Sequence, residues 1–326
     1  MVGLTERDFL KPGETIAEGD SCILYDFLPP ELAETAFDNL RKEVKWNTMM
    51  HRGGEVPRLV AQEGGVLEDG SFPIYRHPAD ESPPCLPFSP TVERIRQHVE
   101  DLLHEPVNHV LIQHYRTGAD YISEHSDKTV DVVRGSKIVN VSLGAQRFMT
   151  LRTKKDALAN PKADLDAVPA HDSSPPSPPT TPDADADADS TPDKAKNLKR
   201  GVQRVPLPHN SIFVMGLETN AKWLHSIRTD KRPPKTKHAT ELRENGERIS
   251  LTFRTIGTFL TADERLIYGQ GAKGKTREEA RPVVRGGAEA ERLIVAFGAE
   301  NHQSDFDWDA NYGGGSDVLH FTTRAA

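Results

Sequence analysis

The chain lacks most of what would place it in an oxidising compartment or a membrane. Only two cysteines, Cys22 and Cys85, occur among 326 residues. That excludes a disulfide framework and any zinc or iron–sulfur site built on several thiolates. No run of 18 or more apolar residues occurs, so no membrane span and no membrane partner is expected. The opening Met1-Val-Gly-Leu-Thr-Glu-Arg-Asp has neither the basic nor the apolar region of a secretory signal, and a nuclear or cytoplasmic location is expected. Positive charge is also in deficit, with 41 Lys and Arg against 49 Asp and Glu. The deficit is uneven, however: residues 201–260 carry ten bases against five acids. A phosphate backbone responds to such a local basic face more than to the total. Histidine is plentiful, thirteen in all, so a metal site here must be built from imidazole and carboxylate.

Residues 156–200 break the globular pattern. The stretch Ser173-Ser-Pro-Pro-Ser-Pro-Pro followed by Asp-Ala repeats has no apolar periodicity and too little apolar surface to offset its ordering entropy. It reads as a disordered insertion at the tip of a hairpin whose strands are Arg147-Phe-Met-Thr-Leu-Arg-Thr and Gly201-Val-Gln-Arg-Val-Pro-Leu. Two helices are expected. One starts at Pro29-Pro30, with Ala33, Ala36, Phe37, Leu40 and Val44 on one face. The other starts with Ser89 as N-cap and Pro90 at the first position, followed by Val92, Ile95, Val99, Leu102 and Leu103. Val107–Tyr115, Ile138–Leu143, Phe148–Leu151, Ser211–Met215 and Ile249–Leu260 read as strands. Strand follows strand after residue 107 without an expected helix between. The fold class is therefore mainly β with flanking helices (α+β), an antiparallel double-sheet barrel. Three regions are expected: 1–45, an N-terminal extension with the first helix; 46–260, the main domain; and 261–326, an extension packed upon it. A monomer is expected.

The sharpest chemical signal is His125-Ser-Asp127. Positions i and i+2 of an extended segment point to one side, so one imidazole and one carboxylate can reach a single ion. A third ligand from another strand would complete the facial triad of non-haem iron(II) oxygenases. Among His209, His225 and His238, the best placed is His225, in the β-type run Lys222-Trp-Leu-His-Ser-Ile; His209 sits at a turn and suits a structural hydrogen bond, and His238 lies in a polar stretch that suits solvent. The second signal is Arg248-Ile-Ser-Leu-Thr-Phe-Arg254, which alternates strictly. Ile249, Leu251 and Phe253 share one face; Arg248, Ser250, Thr252 and Arg254 share the other. Such a face is commonly solvated, but beside a metal triad two arginines and two hydroxyls suit an enclosed dicarboxylate, which guanidinium binds bidentately.

With these motifs in place the chain resembles the AlkB-like iron(II)/2-oxoglutarate-dependent dioxygenases, nearest their nucleic-acid demethylases. Val110–Asp127 resembles that family's N-x-Y strand running into H-x-D, Ser142-Leu-Gly-Ala-Gln-Arg follows at the right distance, Trp223-Leu-His225 resembles the distal ligand segment, and Arg248–Arg254 resembles R-x-N-x-T-x-R. Gly54-Glu-Val-Pro-Arg58 resembles the start of the substrate lid, at about 46–90. The resemblance implies a double-stranded β-helix (jelly roll) core over residues 46–260. It implies Fe(2+) held by His125, Asp127 and His225, with 2-oxoglutarate and O2 as co-substrates. Tyr115, Arg248 and Ser250 would hold the distal carboxylate, with Thr252 on the same face and Gln113 and Arg254 near the chelating end. Gln113 and Ser250 stand where the family has Asn, and Lys128-Thr129 stand where an acidic residue is common. Substrate contacts would come from Arg58 and from Tyr75, Arg76 and His77. The implied reaction decarboxylates 2-oxoglutarate to succinate and CO2, hydroxylates a methyl group on a flipped-out base and releases formaldehyde. The expected substrate is alkylated nucleic acid, DNA before RNA, as in DNA repair. The alternatives are the same chemistry on a protein side chain or small molecule, and a non-catalytic nucleic-acid-binding scaffold.

Two further stretches carry motif-like patterns. Gly269-Gln-Gly-Ala-Lys-Gly-Lys-Thr276 matches the P-loop spacing, but little strand precedes it and Pro282 limits any helix after it, so a surface turn is expected. Arg228–Lys237 holds five bases and one acid and could grip phosphates, through Lys231 and Arg232 among others, or serve as a nuclear address.

Overall fold

The computed structural model describes residues 14–51, 54–156 and 200–323. The expected insertion at 156–200 lies, but for its end residues, outside them. A seven-stranded sheet runs in the order Cys22–Tyr25, Ser211–Met215, Ile138–Gly144, Arg248–Arg254, His109–Tyr115, Leu59–Gly64, Cys85–Leu86, antiparallel except at the last pair. Facing it is an antiparallel four-stranded sheet in the order Val202–Leu207, Arg147–Thr153, Trp223–Ile227, Ile122–His125. These two sheets are the jelly roll. The hairpin predicted around the insertion is present, with Arg152 opposite Val202 at its outer end.

The strand periodicity explains which side of each sheet is which. Ile249, Leu251 and Phe253 point outward, into a core shared with the helices Pro30–Glu43 and Pro90–Leu103. Both helices carry Pro in their first turn, where its missing N–H costs nothing, and both bury the predicted faces: Ala33, Ala36, Phe37 and Leu40 on one, Val92, Ile95 and Val99 on the other. A second core, including Tyr115, Met149, Leu151, Phe213, Trp223 and Ile227, fills the space between the sheets. The polar face of Arg248–Arg254 therefore looks into the barrel. Arg248 is 1% exposed and Arg254 2%, so the solvated reading of that face does not hold.

Several local readings need correction. Leu102 is exposed, on the outer side of its helix. Ser89 does not cap that helix with its side chain; its hydroxyl donates to Glu63 at 3.1 Å. The run read as one strand over Ile249–Leu260 breaks after Arg254 and resumes as Thr258–Leu260 in another sheet, with Leu266–Gly269, Arg281–Pro282 and Phe72–Pro73. Helices do occur after residue 107, at Leu217–Lys222, Ala239–Leu242, Gly287–His302 and Trp308–Tyr312. The apolar run Leu293-Ile-Val-Ala-Phe belongs to the third of these and packs on the domain around Val130. The P-loop look-alike is a turn: Gly269 N–H bonds the Gly274 carbonyl, and Lys275 Nζ donates to the carbonyls of Gln270 and Ala272. His209 accepts from the Gly144 N–H at 3.0 Å, the structural role expected of it.

Candidate active site

Sheet register brings the distant histidines together. His125 lies directly opposite His225 across an antiparallel pair, so both side chains share one face although 100 residues separate them. A bulge between His225 and Ile227 accommodates the pairing. The ring centroids are 4.2 Å apart, and both Nε2 atoms approach Asp127 Oδ1, at 3.8 Å from His125 and 3.7 Å from His225. All three ligand atoms lie within 4.8 Å of one another. His125 Nδ1 donates to the Ser123 carbonyl at 2.8 Å, which leaves Nε2 with its lone pair toward the carboxylate. Burial, reinforced by the neighbouring His225, pulls His125 down to about 3, and burial also lowers His225. Both rings are neutral at pH 7, as metal ligands must be.

Asp127 is oriented from two directions. Burial opposes its charge, but Arg254 outweighs that and holds the carboxyl well below the usual range. Arg254 donates to Oδ2 from Nη2 at 2.6 Å and from Nε at 3.0 Å, so Oδ1 is the oxygen turned to the histidines. Asn220, on the helix Leu217–Lys222, accepts from the Asp127 N–H at 2.8 Å and donates to its carbonyl at 3.0 Å. The donor set, two neutral imidazoles and one carboxylate oxygen, fits an iron(II) facial triad.

The other end of the Arg248–Arg254 strand fits an anion. Arg248 faces Tyr115 in register, and its guanidinium carbon lies 5.3 Å from that ring's centroid. Nη2 donates to Ser142 Oγ at 2.7 Å and Asn140 Oδ1 at 3.2 Å, while Nε and Nη1 are buried without partners. Burial lowers Arg248 to about 10, so it is still a cation at neutral pH. A buried guanidinium with donors to spare calls for a carboxylate. Asn140 also donates to Ser250 Oγ at 2.7 Å and Thr252 Oγ1 at 3.1 Å, knitting the polar face together. Gln113, expected near the chelating end, lies opposite Ser250 in register and accepts from the Tyr115 hydroxyl at 3.1 Å.

The substrate-side expectations divide. Tyr75 is at the metal end: its ring lies under Arg254, 4.1 Å from the guanidinium carbon, and its hydroxyl accepts from the Lys128 N–H at 3.1 Å. Arg58 is buried, with Nη1 on the Tyr121 carbonyl at 3.0 Å and Nε without a partner. Half-buried His77 stacks on Phe321, 5.2 Å between centroids. Arg76 cannot be a base contact as it stands. It is fully buried against Asp131, and its remaining donors go to the carbonyls of Gly271, Ser316 and Val318. In the basic stretch Arg232 is bound to Asp230 and Glu241, and Lys237 to Asp230. Lys231 and Lys235 are exposed. That leaves the segment with less uncommitted charge than its composition promised, because Asp230 and Glu241 fold back against it.

Sequence reading missed Asn220, Asn140 and the Asp131 partner of Arg76. Each acts through side-chain amide or carboxylate geometry, which carries no spacing signature.

The model of the 2OG-Fe(II) oxygenase superfamily matches residues 20–254. The human protein named DNA oxidative demethylase ALKBH2 is 29% identical over 247 residues, 74% of this chain and 75% of its own. The Arabidopsis thaliana protein of that name is 26% identical over 250 residues, 73% of this chain and 66% of its own. The Bos taurus alpha-ketoglutarate-dependent dioxygenase alkB homolog 3 is 24% identical over 239 residues, 72% and 65% of the two chains.

Proposed function

Since the chain belongs to the 2OG-Fe(II) oxygenase superfamily, and is thus a dioxygenase using Fe(2+), 2-oxoglutarate and O2, we propose that it oxidatively demethylates alkylated nucleic-acid bases, DNA before RNA. The observation that carries the chemistry is the presence, within one barrel, of a His–Asp–His triad and a buried arginine that has free donors. The names of the relatives carry the substrate class. The nucleus is the corresponding place of work.

When bound, iron(II) with 2-oxoglutarate and dioxygen supplies oxidation of a methyl C–H bond, with succinate, CO2 and formaldehyde as products. The protein's residues do the positioning. His125 and His225 offer neutral nitrogen, and Asp127 offers the oxygen that Arg254 leaves free. Arg248, whose Nε and Nη1 are without partners, would hold the distal carboxylate, with Tyr115, Ser250 and Thr252 beside it and Gln113 bonded to Tyr115. Tyr75, fixed by Arg254 and Lys128, walls the metal end where a base would enter after flipping from a duplex. Arg58 and His77 lie on the same lid segment, and exposed Lys231 suits a phosphate; Arg232 would contribute only by leaving its carboxylate partners.

The test is succinate and formaldehyde release with single- and double-stranded oligonucleotides carrying 1-methyladenine or 3-methylcytosine. Formaldehyde that appears only with the methylated oligonucleotide supports the reading. Turnover coupled to a methylated peptide or small molecule, and indifferent to every oligonucleotide, would leave a dioxygenase but remove its nucleic-acid substrate.

A further inference from the structure

The match to the superfamily ends at Arg254, yet the chain beyond it reaches the metal centre. The segment after Asp127 leaves the barrel as an irregular loop whose polar groups must be satisfied from elsewhere. The last turn of the helix Gly287–His302 satisfies the N–H groups of Ser126 and Thr129. Asn301 Oδ1 accepts from the Ser126 N–H at 3.0 Å, between the two metal ligands of the H-x-D motif. Glu300 Oε1 accepts from the Thr129 N–H at 2.9 Å and from the Thr129 hydroxyl at 2.5 Å. The Glu300 carbonyl takes Lys154 Nζ at 2.6 Å, and its Oε2 takes the Tyr312 hydroxyl at 2.8 Å. Trp308 Nε1 donates to the Thr129 carbonyl at 3.3 Å, and Gln270 Nε2 to that of Val132 at 2.6 Å. Val130 is packed among Ala290, Leu293, Ala296 and Phe297 of the helix.

We infer that Glu300 and Asn301 are positioning residues for the metal centre, setting the path of the backbone that presents His125 and Asp127. Glu300 is 4% exposed and touches no ligand atom; its effect passes through the main chain of Thr129. Arg254, from a barrel strand, and Asn220, from the helix Leu217–Lys222, fix the Asp127 carboxylate and its peptide, whereas Glu300 and Asn301, from the outer helix Gly287–His302, fix the flanking peptides. Loss of the outer pair would let the ligand pair drift against His225 with the barrel intact. Outer partners of metal ligands commonly account for about 10- to 100-fold in affinity. The inference rests on the triad as the iron site.

The experiment measures Mn(II) affinity and the Co(II) absorption spectrum of full-length protein, together with thermal unfolding of the metal-free form. Asn301→Ala and Glu300→Ala should each weaken Mn(II) binding by about tenfold and shift the Co(II) spectrum, and kcat should fall while the KM for 2-oxoglutarate is unchanged. Glu300→Gln should restore most of the affinity, since its amide can accept from Thr129 and donate to the Tyr312 oxygen. Val295→Ser, on the exposed face of the same helix, should change nothing. If Glu300→Ala does not fold, Asn301→Ala and Glu300→Gln decide the matter. Unchanged Mn(II) affinity in a folded Asn301→Ala protein overturns the inference, as does an equal loss of metal and 2-oxoglutarate affinity, which would mean general loosening. Failure of Mn(II) to bind the unaltered protein would instead strike at the triad itself.

Discussion

At the scale of single residues, the proposed site has a metal end and an anion end joined by one strand, and mutation should disable the two separately. His125→Ala or Asp127→Ala removes one of three protein ligands, so decarboxylation of 2-oxoglutarate should be lost while the apoprotein keeps its fold; full activity in either variant would sink the triad. Arg248→Ala should instead spare Mn(II) binding and raise the KM for 2-oxoglutarate by about 10- to 100-fold, the worth of a charge-assisted pair. A Mn(II) affinity that falls as far as the co-substrate affinity would contradict the division. Asn140 offers a finer test. It donates to both hydroxyls of the arginine strand and accepts from Arg248, supplying an amide on the neighbouring strand where Ser250 has none. Asn140→Ala should raise the same KM by about tenfold. Ser250→Asn placed in that background should recover part of it, and titration calorimetry with Mn(II) present would report both.

At the scale of elements, the insertion is the plainest test of what the barrel needs. The strands Arg147–Thr153 and Val202–Leu207 already pair up to Arg152 and Val202, and Thr153 N–H reaches the Gly201 carbonyl at 3.1 Å. Closing that hairpin over fewer residues changes loop entropy only logarithmically. Deleting residues 160–199 should therefore leave Mn(II) affinity and the unfolding midpoint nearly unchanged; failure to fold would show that the segment holds a structured element. The strands and the two N-terminal helices were legible because burial imposes periods of 2 and 3.6 on the sequence, as in Ile249, Leu251 and Phe253. The triad was legible because H-x-D needs only i, i+2 geometry and His225 only a strand. What was not legible depends on which strand lies beside which. Asn140 lies opposite Thr252 in register and diagonally from Ser250, and Arg76 is drawn to Asp131 by a buried charge pair that no spacing announces. The break at Thr255–Gly257 also escaped periodicity, because apolar residues continue on both sides of it.

At the scale of the whole molecule, the segment around His77 and the C-terminal segment pack on each other around a neutral histidine, and that has a consequence for acid stability. Thr322–Thr323 pairs in parallel with Glu81–Ser82, Phe321 stacks on His77, and His320 Nε2 donates to the His77 carbonyl at 2.7 Å. Burial, with the positive field of His320 and Arg254 added to it, brings His77 down to about 3. His209 is lowered to about 4, also chiefly by burial. In the unfolded chain each would titrate near the ordinary histidine value of about 6.5. Between those limits the unfolded state binds more protons, so stability must rise with pH. The contribution is fully present above about pH 6.5 and is lost as the pH falls toward 3–4. Each such histidine can contribute a slope of at most about 1.4 kcal/mol per pH unit. Urea unfolding of the metal-free protein in steps from about pH 7.5 to about pH 4.5 should show the decline. In His77→Gln the slope should flatten by up to one proton, while the stability at pH 7.5 changes mainly through lost stacking on Phe321. A slope that His77→Gln leaves untouched would show that the packing of the C-terminal strand does not keep this histidine uncharged.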